Sequence, residues 1–257
     1  IYIQYVEKSF LKNGYYIFNL NKFELQKLRN LLISEIKSFT KLKKIDLDYF
    51  HNQFSLNKLN NLRLHLYKKI NINKNFSRLV FKSSEKIIDE LVGNELVTSN
   101  INFSIQCPKD DTSLLSMHTD FFAGESLFQV NLWIPFVNVK KTNSMFIISP
   151  ENSIKILRQI KNKSNFDFSK IEKKYRSKIR WLKLNYGQGL VFSPNCLHGN
   201  IVNNEKTTRW SINVRYKNIF SPYSKKFVNE KRIGNFYKIL KPKIITKFNL
   251  KYSFDEF

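Results

Sequence analysis

Four histidines are spread over 257 residues: His51, His65, His118 and His198. Only His118 has a carboxylate two positions on, in His118-Thr119-Asp120. In an extended chain, positions i and i+2 share a face, so this imidazole and carboxylate would aim the same way. An HxD alone says little, because a lone histidine more often makes a structural hydrogen bond. The later His198 stands in GLVFSPNCLHGN, after a short apolar run and a Ser193-Pro194-Asn195 turn, with Gly199 allowing close backbone packing. Two imidazoles and one carboxylate suit iron(II) and occupy one face of it, which leaves adjacent positions open to other ligands. His118, Asp120 and His198 are therefore the expected metal ligands and catalytic centre. Arg209 comes eleven residues after His198. Its planar guanidinium can hold a carboxylate through two parallel hydrogen bonds. Ser211 shares its strand face and can add a third, while Trp210, Ile212 and Val214 turn the other way into packing.

These residues need a scaffold of strands. Asn102 to Cys107 alternates, and Leu127 to Phe136 puts Phe128, Val130, Leu132 and Ile134 on one face with Gln129, Asn131 and Trp133 on the other. Met145 to Ile148, Trp181 to Leu184, Gly189 to Phe192 and Arg209 to Tyr216 read as further short strands separated by turn residues. Such a series fits a jelly-roll, cupin-like barrel better than alternating strands and helices. Helices precede it. Phe23, Leu25, Leu28, Leu31, Leu32, Ile36 and Phe39 recur at helical spacing behind a capping Asn21. A short helix is expected from Ser84 to Gly93, whereas residues 40 to 75 have no clear pattern. The expected fold class is mainly β with flanking helices (α+β), a double-stranded β-helix in a single domain over 1–257. A helical flank covers 1–98, the barrel 99–220 with a basic helix and loop inserted at 151–183, and a basic extension 221–257. Ile154, Ile156, Leu157 and Ile160 mark the inserted helix. It is too short to bury a core of its own.

Composition limits the function classes. Hydrophobic residues at 42% rule out a disordered polycation, and no stretch approaches the ~20 apolar residues of a membrane span. The opening IYIQYVEKSF lacks the basic-then-apolar order of a signal peptide. Two cysteines, Cys107 and Cys196, cannot make a thiolate cluster, and they fit a reducing, cytoplasmic setting. Forty-four Lys and Arg against twenty Asp and Glu give +24, a field that concentrates anions. Phosphorylated or nucleotide-linked small molecules, anionic membrane surfaces and nucleic acid are the candidate partners. Lys, Asn, Ile and Phe are also enriched together throughout, as a coding bias would produce. A basic nucleic-acid-binding module is the rival class. Tyr175, Trp181, Tyr216, Phe220 and Tyr223 lie among basic residues and would supply stacking platforms, but no nucleic-acid motif accompanies them. The histidine set would then have no role.

Taken together, His118-Thr119-Asp120, His198 and Arg209-Trp210-Ser211 resemble the HxD…H…RxS pattern of the 2-oxoglutarate/Fe(II)-dependent oxygenases. Within that superfamily Phe128 to Pro150 (FQVNLWIPFVNVKKTNSMFIISP) is similar to the phytanoyl-CoA dioxygenase-like branch, and more so to oxygenases of bacterial polysaccharide or unusual-sugar biosynthesis clusters. The likeness covers about residues 100 to 220. It departs at Asn143-Ser144, where many relatives have Asn-Gly. The resemblance implies that His118, Asp120 and His198 ligate iron(II). Arg209 and Ser211 would bind the distal carboxylate of the co-substrate 2-oxoglutarate, with Asn131 and Gln106 beside it and O2 as second co-substrate. It also implies hydroxylation or desaturation rather than halogenation, since halogenases replace the residue at the Asp120 position by a small one. The expected substrate is a small, anionic sugar-related metabolite, with acyl-CoA, lipid or nucleic acid as alternatives. Phe121, Phe122, Gly124 and Glu125 form a candidate substrate loop, in which Glu125 would receive sugar hydroxyls. Met117 and Cys196 adjoin ligands and are expected to fill core.

Overall fold

The structure is a computed structural model and describes residues 2–160, 174–222, 233 and 236–252. Parts of the basic insertion (161–173) and of the C-terminal extension, with Tyr223, lie outside the described residues. No helix among the described residues is long and apolar enough to cross a membrane.

The chain runs α1 (Tyr2–Asn13), β1 (Tyr15–Asn19), α2 (Lys22–Thr40), α3 (Leu59–Ile72), α4 (Lys74–Val92), β2 (Leu96–Ser99), β3 (Asn102–Gln106) and β4 (Gln129–Pro135). It continues through β5 (Phe146–Ile147), α5 (Pro150–Ile160), β6 (Arg180–Trp181), β7 (Gln188–Phe192), β8 (His198–Gly199), β9 (Arg209–Asn218), β10 (Tyr237–Lys241) and α6 (Ile244–Tyr252). Asn21 caps α2 as expected, its side chain accepting from the amides of Phe23 and Glu24. Leu25, Leu28, Leu32 and Ile36 are buried along one face of α2, but Phe23 at the first turn is 66% exposed. The helix expected to start at Ser84 starts ten residues earlier, at Lys74, behind Asn73, which caps the amides of Asn75 and Phe76. Ser84 is buried within α4 and returns its hydroxyl to the carbonyls of Val80 and Phe81. A serine can be satisfied that way inside a helix, so it need not mark a start. Gly93 ends α4 at φ +82, as its position suggested.

Two antiparallel sheets follow. The larger has the order β1-β7-β4-β9-β2-β10, with β3 on the first half of β9; the smaller is β6-β5-β8. The result is a mixed α+β fold whose two sheets resemble a double-stranded β-helix core. The flanks take part in it: β1 from the first 98 residues pairs with β7, and β10 from the C-terminal extension pairs with β2.

The long strand β9 divides the molecule. Its even residues Trp210, Ile212, Val214 and Tyr216 join Val130, Leu132 and Ile134 of β4 in one core with Leu28, Leu32, Leu79, Val80 and Ile88 of the helices. Truncating a fully buried leucine there costs about 2–5 kcal/mol. The odd residues of β9 face the other way, and that face holds the chemistry.

Candidate metal centre and its cavity

His118 and His198 are backbone partners. Each amide donates to the other's carbonyl at 2.9 Å, the bonded pairing of an antiparallel bridge, which sets the two side chains on one side. The HxD is not a full strand as expected. Only this bridge and the extended Thr119 (φ −119, ψ 143) precede a 3₁₀ turn at Asp120–Ala123. One extended residue suffices to bring Asp120 back to the side of His118. Beside His198, a side chain at Gly199 would put its Cβ 2.7 Å from the Leu115 carbonyl and 3.2 Å from the Met117 amide. The close approach of the 115–118 segment therefore requires glycine there.

The ligand atoms of His118, Asp120 and His198 lie within 4.8 Å of one another, and His118 Nε2 is 3.7 Å from Asp120 Oδ1. His118 Nδ1 stands 2.7 Å from the Ser116 carbonyl, and His198 Nδ1 2.9 Å from the Cys196 carbonyl. A carbonyl only accepts, so both Nδ1 atoms carry the proton and both Nε2 lone pairs are left for a metal. Burial pushes the His198 imidazole down to about 4, against the pull of Asp120, so it stays neutral as a ligand must. Burial raises the Asp120 carboxyl, but His198, Arg215 and His118 together bring it below its ordinary value. These three residues form a two-histidine, one-carboxylate facial triad that fits a divalent ion such as iron(II).

The triad opens into a cavity of about 570 Å³, within the range of about 300–1,000 Å³ usual for small-molecule sites. Arg209, Ser211, Asn213 and Arg215 line it from the odd face of β9. Arg209 is 3% exposed. Its Nη2 donates to Ser104 Oγ at 3.2 Å and its Nη1 to the Ser144 carbonyl at 3.4 Å, while Nε has no partner. Burial and then Arg63 lower its pKa to about 10. Among the described residues no carboxylate is paired with it. The other cavity arginines are paired: Arg63 with Asp110 at 2.5 Å, and Arg215 with Asp120 at 3.3 Å and Glu125 at 3.6 Å. Burial disfavours the charge of Arg215, and these two carboxylates outweigh it.

No family model matches the chain, and no curated protein sequence does either. Solved structures match across most of its length. A non-haem monooxygenase, ThoJ in complex with nickel, is 15% identical with a TM-score of 0.57, over 85% of this chain and 79% of that one. EctD from S. alaskensis, solved with 2-oxoglutarate and 5-hydroxyectoine, is 16% identical with a TM-score of 0.56, over 87% and 79%. SnoK, a non-haem α-ketoglutarate-dependent carbocyclase from nogalamycin biosynthesis, is 13% identical with a TM-score of 0.53, over 93% and 94%. The chain shares its fold with these three proteins.

Within this shared fold the other sequence-predicted residues separate. Asn131 is buried and donates to Asp120 Oδ2. Gln106 pairs with Arg209 across the sheet, but its side chain donates to the Ile201 carbonyl and does not line the cavity. Glu125 is not in a position to receive sugar hydroxyls. It is 1% exposed and turned inward to Arg215 and Tyr237, because a carboxylate beside a buried guanidinium is neutralised there. Phe121 is partly exposed outside the lining, Phe122 contributes backbone to the 3₁₀ turn, and Gly124 closes that turn at φ +87. Cys107 and Cys196 are free and buried, their thiols pushed up to about 11 and about 12 by burial. Of the aromatic residues set among basic ones, Tyr216 is fully buried in the core, Tyr175 and Trp181 are half-buried, Trp181 edge-on against Phe146 at 5.4 Å, and Phe220 is exposed. Arg63, Arg215 and Tyr237 were not singled out from the sequence. Extending the β9 alternation by four residues past Ser211 would have found Arg215. Nothing local marks Tyr237.

Proposed function

We propose that this protein is a 2-oxoglutarate- and O2-dependent iron(II) oxygenase that hydroxylates an unactivated C–H in a small, sugar-related metabolite, one carrying phosphate or a nucleotide. One observation carries the reading. A single cavity has three convergent metal ligands at one end and, at the other, a buried arginine with no carboxylate partner among the described residues. A buried cation without a counter-charge is costly, and a dicarboxylate co-substrate would supply one. His118, Asp120 and His198 would hold the iron, and Arg209 with Ser211 the distal carboxylate of 2-oxoglutarate. Bound there, iron with 2-oxoglutarate and O2 supplies oxidising power, yielding succinate, CO2 and a hydroxylated product.

The chain's own part is placement. The two backbone carbonyls fix both imidazole tautomers, the donors on Asp120 fix its carboxylate, and the arginine sets the reach of the co-substrate. Asn60, Asn102, Asn213 and Thr112 also line the cavity and support a hydroxyl-bearing substrate. Since Arg63 and Arg215 already have carboxylate partners, the phosphate or nucleotide would lie toward the basic exterior. The two sheets would close as a jelly roll around this site.

Anaerobic addition of Fe(II) and 2-oxoglutarate should give a visible charge-transfer band that His118→Ala abolishes. An absent band, or one unchanged in that variant, would remove the metal-centre reading. Succinate release compared across nucleotide-sugars, acyl-CoA esters and oligonucleotides tests the substrate class. Stimulation by oligonucleotides alone would overturn the sugar assignment.

A further inference from the structure

A ring of buried side chains stands behind Asp120. Asn131 Nδ2 donates to Asp120 Oδ2, and Gln129 Nε2 donates to Asn131 Oδ1 at 3.2 Å. The Tyr237 hydroxyl lies 2.9 Å from Gln129 Oε1 and 2.6 Å from Glu125 Oε2. Glu125 Oε1 is 3.6 Å from Arg215 Nε, and Arg215 Nη2 closes the ring on Asp120 Oδ1 at 3.3 Å. Four elements contribute: the turn after the HxD, β4, β9 and β10. Asn131 and Arg215 are direct partners across β4 and β9, which puts their side chains on either side of one carboxylate.

Each Asp120 oxygen thus already has a donor from the protein. An unbraced aspartate could rotate or chelate through both oxygens and so consume a coordination position. This one is held by a neutral amide on one oxygen and a guanidinium on the other. We propose that Arg215, braced by Glu125 and Tyr237, is a positioning residue that holds Asp120 as a one-oxygen ligand, so that β10, outside the HxD…H…RxS span, helps set metal affinity. This rests on the metal-centre reading above and adds to it a dependence on residues that are not themselves part of the motif.

The test is Co(II) binding to the metal-free full chain by calorimetry, without 2-oxoglutarate, alongside the Co(II) visible spectrum and thermal unfolding. Groups that orient a metal ligand are worth about 10–100-fold in affinity. Arg215→Met should weaken Co(II) binding about 30-fold and alter the Co(II) spectrum, and Arg215→Lys should recover part of the loss. Tyr237→Phe removes one hydroxyl and no charge, and should cost about threefold. It decides the matter with Arg215→Lys if Arg215→Met leaves too little folded protein. Variants that melt earlier yet bind Co(II) with wild-type affinity and spectrum would overturn the proposal, leaving the ring a structural brace. Failure of the wild type to bind Co(II) would instead sink the metal centre itself.

Discussion

Arg209 and Arg215 stand six residues apart on one face of one strand, and both reach the same cavity. Their surroundings differ. Arg215 lies between Asp120 and Glu125, whereas Arg209 has a serine hydroxyl, a backbone carbonyl and no carboxylate partner among the described residues. Burying a guanidinium is expensive unless something offsets its charge. Where the offset comes from the chain, the arginine belongs to the architecture. Where it does not, a ligand that brings the charge would supply the offset, as the proposed function has it. On the proposed function, the cavity would have two ends with different logic, one closed by internal charge balance around the metal ligands and one left for an incoming carboxylate.

The contrast is open to attack. Arg209→Met removes two charge-assisted bonds to the expected co-substrate and should raise the Kd for 2-oxoglutarate about 100-fold, close to 3 kcal/mol. Co(II) affinity should hold, and resistance to urea should not fall. A parallel loss of Co(II) binding would mean that the two ends are not separable.

Acid should act on the opposite end. The His198 imidazole titrates near 6.5 in the unfolded chain and at about 4 when folded, because burial disfavours its charge. Between those values the unfolded chain holds a proton that the native chain lacks, so stability falls as pH drops through that window. From pH 6 to pH 4.5 this group alone removes about 2 kcal/mol. Urea titrations of metal-free protein should show that slope, and His198→Gln should flatten it. Arg209, at about 10, keeps its charge throughout.

A smaller effect is expected from Gly199→Ala. Its Cβ would meet the Leu115 carbonyl and displace the segment that carries His118. Co(II) affinity should drop about tenfold while 2-oxoglutarate still meets an intact Arg209. Equal losses at both ends would contradict the local reading of that glycine. Smallest is Asn21→Ala, which deletes the cap of α2 and should cost about 1 kcal/mol in urea unfolding with both ligand affinities unchanged.

Much of the site was legible before the fold. His118, Asp120, His198, Arg209 and Ser211 carry recognisable chemistry at recognisable spacing, and the strands beneath them alternate cleanly. Other positions misled for stated reasons. Ser84 looked like a helix start because serine suits caps, yet Asn73 does the capping and Ser84 satisfies itself within α4. Glu125 looked like a substrate contact because it sits in the candidate loop that follows the HxD, yet its partners were invisible from its neighbours. Residues 40 to 75 gave no clear pattern, and α3 there still buries Leu59, Leu62, Leu66 and Ile70. Its Arg63 then reaches the cavity.

By itself the order of amino acids determined the donor set, the two-sided character of β9 and the Asn21 cap that begins α2. Each of those depends on residues within a turn or two of one another, where backbone geometry repeats and side-chain direction follows from it. Only the tertiary structure decided which charges meet. Arg215 finds Asp120 across 95 positions and Tyr237 finds Glu125 across 112. Such encounters are arranged by strand pairing and by the burial that makes an unpaired charge costly, and no local pattern records them.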